Sequence, residues 1–584
     1  MLMNKKICIG LFFFCLTVAF YGQEEEREDL ATQQVTVIKS YNPSLSEAFQ
    51  IKTTPEIPDS IATEKLKVSY DILSLPVIET FEPNKANPLE LIRTAPEKPY
   101  NTLFGVGYGS MGQLYIDFST TVAIDREQQF GLMLYRDGFE NNIGNSLLNS
   151  NQNYLFFGLQ HALKNNNFRG DSKLSYSRSR NNYYGLFDEL WNPIILSSVD
   201  PEIKRNYVAL NSQWQWYDGI LQEIDFKVDL TTDNFSSSEQ KVNLVVKTKL
   251  PLFDGDLSFN ANVGGVSNRF EQDYFNKKAI HSQLGNGGVE LAWRSVGTNL
   301  KLKIGVGGAY ILSDSLLGTA LQYYPRVEIA YNAKKAKIIP FMKANGRTSL
   351  ANYSDFSTTN PFLYPGLELQ PLWQKYNARA GVRSSQSNVL FFEFSLGYDE
   401  QENLPLFKRL PFDPLNNDVA FRFSNAFEVE YANISQIDFS AQLGFDFSRE
   451  NHLEFKIQYF SYDLKGEGRL WNLPQLKIAT KGQFKWSKFS LLLEGQMIGD
   501  RLAAQSSAQW PIVLELPLDD SRNESSFDLP IYLEGTVMLN YKIKEPFDLF
   551  LNARVSNSAT HGIWGFYPQP NSLIMAGFRY KFNL

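Results

Sequence analysis

The sequence predicts an all-β chain: a transmembrane antiparallel β-barrel of about 22 strands, preceded by an extended proline-rich segment. Three observations carry this reading. Stretch after stretch alternates apolar and polar residues with a period of two. Beyond the N-terminus no apolar run reaches the ~18–20 residues that a spanning helix needs. Aromatic content is 14%, with 29 Tyr and 44 Phe, yet mean hydropathy is slightly polar at -0.28. These last two facts conflict for a soluble domain of 584 residues. They agree for a barrel with an apolar belt, aromatic girdles and a polar lumen.

Residues 1–22 read as a secretory signal peptide. Lys5 and Lys6 form a basic start, Ile7–Phe20 is apolar, and the acidic Glu24-Glu25-Glu26 follows. Cleavage near Gly22 removes both cysteines, Cys8 and Cys15, and so excludes a disulfide framework, a thiol nucleophile and a thiolate metal site. It also removes two cations, taking the formal charge from -7 to -9. A net-acidic exported chain points away from nucleic acid as a partner.

Residues 23–100 carry eight prolines between Pro43 and Pro99, with charges scattered among them. Proline removes ladder donors and blocks helices, so an extended N-terminal, periplasmic segment is expected. From residue 101 the texture becomes that of the barrel. Leu114, Ile116, Phe118, Thr120, Val122 and Ile124 alternate with polar residues. Ile224–Leu230, Val242–Leu250, Leu300–Val306, Leu453–Tyr459 and Phe547–Leu551 repeat the pattern.

Connections alternate as well. Short polar turns such as Lys164–Asn167, Phe253–Asp256 and Ser487–Lys488 separate longer segments, among them 181–204, 267–287, 349–372, 400–418, 499–527 and 557–571. Short turns at one end and long loops at the other are the asymmetry of a bacterial outer-membrane barrel, and an even strand count keeps both ends of the barrel in the periplasm. Val419–Phe447 reads either as a hairpin or as one long strand, and only the long strand keeps the long loops together. Ser572–Leu584 reads as the closing strand, paired with Thr102–Gly109. It sets Ile574, Ala576, Phe578, Tyr580 and Phe582 on one face, and Met575, Gly577, Arg579, Lys581 and Asn583 on the other.

The C-terminal third is more specific. Leu473-Pro474-Gln475-Leu476-Lys477-Ile478, then Lys481–Trp486, Phe489-Ser490-Leu491 and Ile498-Gly499-Asp500-Arg501 resemble a recurring stretch of TonB-dependent receptors. Trp564–Pro570 with the final strand resembles that family's last loop and closing strand. The resemblance implies a Gram-negative outer-membrane receptor or transporter that moves or gates a solute, surrounded by outer-membrane lipid. Such receptors carry a plug of well over ~100 residues inside the barrel. Residues 23–100 are too few and too proline-rich for one, which implies a reduced or absent plug. Val35-Thr36-Val37-Ile38 is similar to the segment that binds the periplasmic energiser TonB, and an ordinary edge strand is the competing reading. The alternative function is a non-transporting accessory barrel that joins another envelope protein through residues 23–100.

Candidate sites follow from position on the strands. Arg169, Asp171, Lys173, Asp225, Lys227, Asp229, Arg326, Glu328, Glu428 and Glu430 fall on lumenal positions. They suit either a polar path or a salt-bridge lattice that stiffens the wall. Tyr183, Tyr184, Phe187 and Trp191, with Trp564, Phe566 and Tyr567, form two loop clusters suited to stacking on a flat ligand or to packing on each other. Gly107–Gly112 matches G-x-G-x-x-G, but a strand follows it where a nucleotide site needs a helix, so it reads as a hairpin turn. His161, His281, His452 and His561 lack metal-ligand spacing, and Asp519-Asp520 with Asn523-Glu524 matches no calcium loop. No metal or other cofactor and no enzymatic activity is expected.

Overall fold

The computed structural model describes residues 100–144, 146–186, 199–272, 279–297, 299–314, 320–332, 337–384, 389–411, 419–505, 525–558 and 561–584. The candidates Val35–Ile38, Phe187, Trp191, Asp519, Asp520, Asn523 and Glu524 lie outside these residues. Everything described belongs to the unit Ala95–Leu584.

Twenty-two strands form one closed antiparallel sheet, each paired with its neighbours in the chain. The ring closes where Thr102–Gly109 meets Ser572–Phe582, with Thr102 opposite Phe582 and Val106 opposite Phe578. Asn101 ties the seam further, accepting from the Leu584 amide at 3.0 Å. Glycines let the two strands approach around one ring. A Cβ on Gly107 would lie 2.8 Å from the Phe550 ring, and one on Gly577 would lie 2.4 Å from it. Phe550 fills the space that two side chains would otherwise need.

Alternation decides the two faces. Leu174, Leu230, Val263, Ile304, Val306 and Leu396 are exposed on the outer wall, where lipid replaces water. The intervening positions turn inward and pair: Arg379 meets Asp438 at 2.6 Å, Lys247 meets Glu223 at 2.7 Å and Lys581 meets Asp548 at 2.7 Å. Val419–Phe447 resolves into a three-residue 3-10 turn at Ala420–Arg422 and one 22-residue strand, Phe427–Ser448.

Several connections differ from expectation. The segments 181–204, 267–287 and 400–418 are partly strand, because Phe168–Asn182, Gly255–Phe270, Ile280–Ser295 and Leu390–Arg409 run on beyond their apolar stretches. Above the lipid both faces are wet and the period of two has nothing to enforce it. The 499–527 segment holds a short hairpin outside the barrel ring, Arg501–Gln505 paired with Ser525–Leu529. Gly107 and Gly109 are strand residues, and the turn itself is Ser110–Gly112 with Met111 at φ 58°.

Candidate functional site

Among the described residues, the larger cluster of buried apolar side chains joins loops at the barrel mouth to strand residues such as Phe270, Phe407 and Phe427. Loops between the fifth and sixth strands (Phe168–Asn182 and Glu202–Trp216), the thirteenth and fourteenth (Ile338–Ser349 and Leu372–Ser384), the fifteenth and sixteenth (Leu390–Arg409 and Phe427–Ser448) and the last two (Phe547–Ser556 and Ser572–Phe582) converge at the end opposite the seam termini. They build one cluster that includes Tyr183, Tyr184, Tyr353, Phe362, Leu363, Tyr364, Phe421, Phe427, Trp564 and Tyr567. Phe362 stacks on Tyr567 with centroids 3.5 Å apart and planes 14° apart, and Tyr184 meets Tyr567 edge-on at 4.9 Å.

Polar groups stitch the same loops. Tyr183 Oη donates to the Leu363 carbonyl at 2.6 Å, Tyr184 Oη to Pro568 at 2.8 Å, and Tyr364 Oη to Gln272 at 2.7 Å. Asn425 Nδ2 donates to the Tyr183 carbonyl at 2.8 Å, while Tyr567 Oη donates to the Asn425 carbonyl. Burial raises the phenol pKa values of Tyr183, Tyr184, Tyr353 and Tyr567 above their ordinary value, so each hydroxyl keeps its proton to donate.

One segment enters the mouth. Asn352 caps the short helix Tyr353–Thr359 by accepting from the Asp355 amide at 2.9 Å. Glu239 on the wall accepts from the amides of Tyr353 and Ser354, and Lys241 reaches Asp355 at 3.4 Å. Arg205, 1% exposed, holds the segment at three points. Its guanidinium donates to Tyr353 Oη at 2.8 Å, the Pro361 carbonyl at 2.7 Å and the Leu363 carbonyl at 3.3 Å. Tyr353 Oη in turn donates to Asp233 at 2.9 Å. A guanidinium presents a rigid fork of donors, which suits it to binding two carbonyls and a phenol together.

Beneath this cap lies a cavity of about 460 Å³, bounded by the inner wall and by Ser357, Thr358 and Pro361 of the inserted segment.

The residues singled out from sequence fall into distinct places. Asp171 accepts from Gln160 at 2.7 Å, and Lys173 sits over the Phe156 ring at 4.9 Å. Lys227 pairs with Asp225 at 3.6 Å, and Asp229 with Lys241 at 3.8 Å. Arg326 pairs with Glu290, and Glu328 stands in register with Lys303 and Lys343. Arg169 is exposed and stands in register with Lys164 and Gln215. Glu430 accepts from the Trp471 indole at 3.1 Å and pairs with Lys408 at 3.7 Å; Glu428 stands in register with Lys408. Tyr183, Tyr184, Trp564 and Tyr567 are buried in the cap, Tyr184 edge-on to Tyr567, Tyr183 against Phe421 and Trp564 against Phe407 and Phe427. Phe566 is half-buried under the Arg409 guanidinium, 3.9 Å away. Arg205, Glu239, Tyr353 and Asn425 were not legible as site residues. The one local signal was the Asn352-Tyr353-Ser354-Asp355 helix start.

The barrel is similar to the FrpB iron transporter from Neisseria meningitidis, with a TM-score of 0.60 and 10% identity over 83% of each chain. It is also similar to the pyoverdine outer-membrane receptor FpvA from Pseudomonas aeruginosa PAO1, with a TM-score of 0.57, 10% identity, and coverage of 84% of this chain and 80% of that one. The copper transporter OprC aligns with a TM-score of 0.55, 8% identity, and coverage of 84% and 82%. At these identities the likeness shows the fold, a closed antiparallel barrel of 22 strands. No protein-family profile and no curated protein matches the sequence. The shared architecture is therefore kept at about one identical residue in ten.

Proposed function

We infer that this receptor-like barrel carries a solute across the outer membrane through a path that its own loops close from outside. The observation that carries the reading is the pairing of a lumen lined by charged and polar residues with a cap locked by Arg205. A polar wall lowers the cost of moving a hydrated solute, and a segment fixed to the wall through Arg205 can serve as a gate if that anchor is released. FrpB, OprC and FpvA, named as iron transporter, copper transporter and pyoverdine receptor, support this class of function. Residues 1–22 act as the export signal. Residues 23–100 form a periplasmic segment, with Val35–Ile38 as its contact for a TonB-type energiser.

The test is conductance in planar bilayers. The full chain should conduct little, a chain lacking residues 23–100 should conduct similarly or more, and Arg205→Ala should conduct several-fold more than either. Silence in all three would leave the accessory-barrel reading. The cap's core of buried aromatics favours that second reading, since a mouth sealed in this way suits a barrel that passes nothing. A single stoichiometric partner crosslinked through residues 23–100 would then be expected.

A further inference from the structure

The cavity beneath the cap differs in chemistry from the cargo of the structural neighbours. Among the described residues its lining includes one carboxylate, Asp137, and one guanidinium, Arg554, and neither imidazole nor thioether. Transition-metal sites draw on imidazole, thiolate or thioether donors, and an anionic chelate is held by several cations. Neither set lines this cavity. Asp137 is moreover engaged, accepting from Gln113 Nε2 at 3.2 Å.

What lines it instead is hydroxyl and amide. Ser177, Ser179 and Asn181 stand at alternate positions of one strand, so their side chains share its inner face. Asn181 Nδ2 donates to Ser179 Oγ at 2.8 Å, which leaves the second amide hydrogen and the carbonyl oxygen of Asn181 for a ligand. Two phenols stand beside this row. Tyr135 and Tyr154 have centroids 6.2 Å apart, and Tyr154 is 41% exposed although its strand position turns it into the barrel. An aromatic face bared to water inside a polar chamber costs hydration free energy unless something covers it.

We propose that the chamber between the Ser177–Asn181 row, the Tyr135–Tyr154 pair and Ser357-Thr358 at the end of the inserted helix is a binding site for a neutral polyhydroxylated solute, such as a short oligosaccharide. Sugar C–H faces cover an aromatic ring, while hydroxyl and amide side chains match sugar hydroxyls as donor and acceptor without demanding a charge. The cavity's size lies within the ~300–1,000 Å³ of small-molecule sites. This assignment rests on the transport reading for its biological sense but not for its test.

Equilibrium dialysis of the detergent-solubilised full chain against labelled maltotriose, mannotriose and tri-N-acetylchitotriose reads binding without any transport step. At least one trisaccharide should bind saturably. Its Kd should rise tenfold or more in Tyr154→Ala and several-fold in Ser179→Ala. It should be unchanged in Lys303→Ala on a distant part of the wall. A heat-modifiable gel shift checks that each variant is folded, and Ser179→Ala serves if Tyr154→Ala is not. Binding by none of the three, or binding indifferent to both Tyr154→Ala and Ser179→Ala, overturns the proposal. Sugar binding without any conductance or flux would retain the site and remove the transport reading. Conductance without sugar binding would do the reverse.

Discussion

The phenol of Tyr183 and the carbonyl of Leu363, 180 residues apart, meet at 2.6 Å over the barrel mouth. Arg205 Nη2 reaches the same oxygen at 3.3 Å. One carbonyl thus joins the loop after the fifth strand, the wall of the sixth and the inserted segment after the thirteenth.

Arg205→Ala should loosen the cap by about 1–3 kcal/mol, because the Pro361 carbonyl loses its partner, while Leu363 keeps the Tyr183 hydroxyl and Tyr353 keeps Asp233. Limited proteolysis within 350–371 and single-channel conductance should both increase. A cap as resistant and as silent as the wild type would show that Arg205 is not its lock.

Tyr183→Phe alone should cost about 1 kcal/mol, since Leu363 retains the Arg205 bond. In the double variant with Arg205→Ala the oxygen is orphaned. The two effects should therefore depart from additivity by about 0.5–1 kcal/mol in hydrogen exchange of the cap amides. Strict additivity would mean that the two bonds do not share an acceptor in solution.

His561 makes the cap sensitive to acid. Its Nδ1 accepts from the Phe566 amide at 3.0 Å, and so must be unprotonated. Burial, and then the nearby Arg409 cation, hold its pKa below the ordinary 6.5. The capped state therefore binds fewer protons than the open one. Its contribution to closure is complete above about pH 6.5 and falls as pH drops below that value toward the lowered pKa. The protection factors of the cap amides, referred to intrinsic exchange at each pH, should fall between pH 7.5 and 5.5, and His561→Gln should flatten that response. An acid response of unchanged size in the variant would assign it elsewhere.

Glycine substitutions should separate the seam from the open wall. A Cβ on Gly577 would sit 2.2 Å from the Val106 oxygen, whereas one on Gly287 would meet nothing within 4 Å. Gly577→Ala should cost about 1–3 kcal/mol or prevent closure, and Gly287→Ala should be nearly neutral. The fraction of heat-modifiable, folded barrel on a cold gel reads both.

The outer and inner walls should respond oppositely to charge. Val306 is 56% exposed on the lipid side, so Val306→Lys should cost about 2–4 kcal/mol if it lies near mid-membrane. Lys303→Ala, on the other face of the same strand, should cost under about 1 kcal/mol. Equal costs in urea unfolding from liposomes would mean that the faces are misassigned.

By itself the sequence determined the barrel. A wall between lipid and water obliges each strand to alternate, and that obligation is local enough to read residue by residue, from Leu114 to Phe582. It set the closing strand against Thr102–Gly109, and it offered Arg169, Asp171, Lys173, Asp225, Lys227, Asp229, Arg326 and Glu328 as candidates for the lumenal face. Only the tertiary structure decided what stands over the mouth. Tyr184 finds Pro568 across 384 residues, and Arg205 finds Pro361 across 156, through loops whose composition also suits exposed stacking. No periodicity governs such contacts. They are selected by the mutual fit of side chains that the closed ring brings together, so the closure that alternation encodes had to exist before the cap could be read.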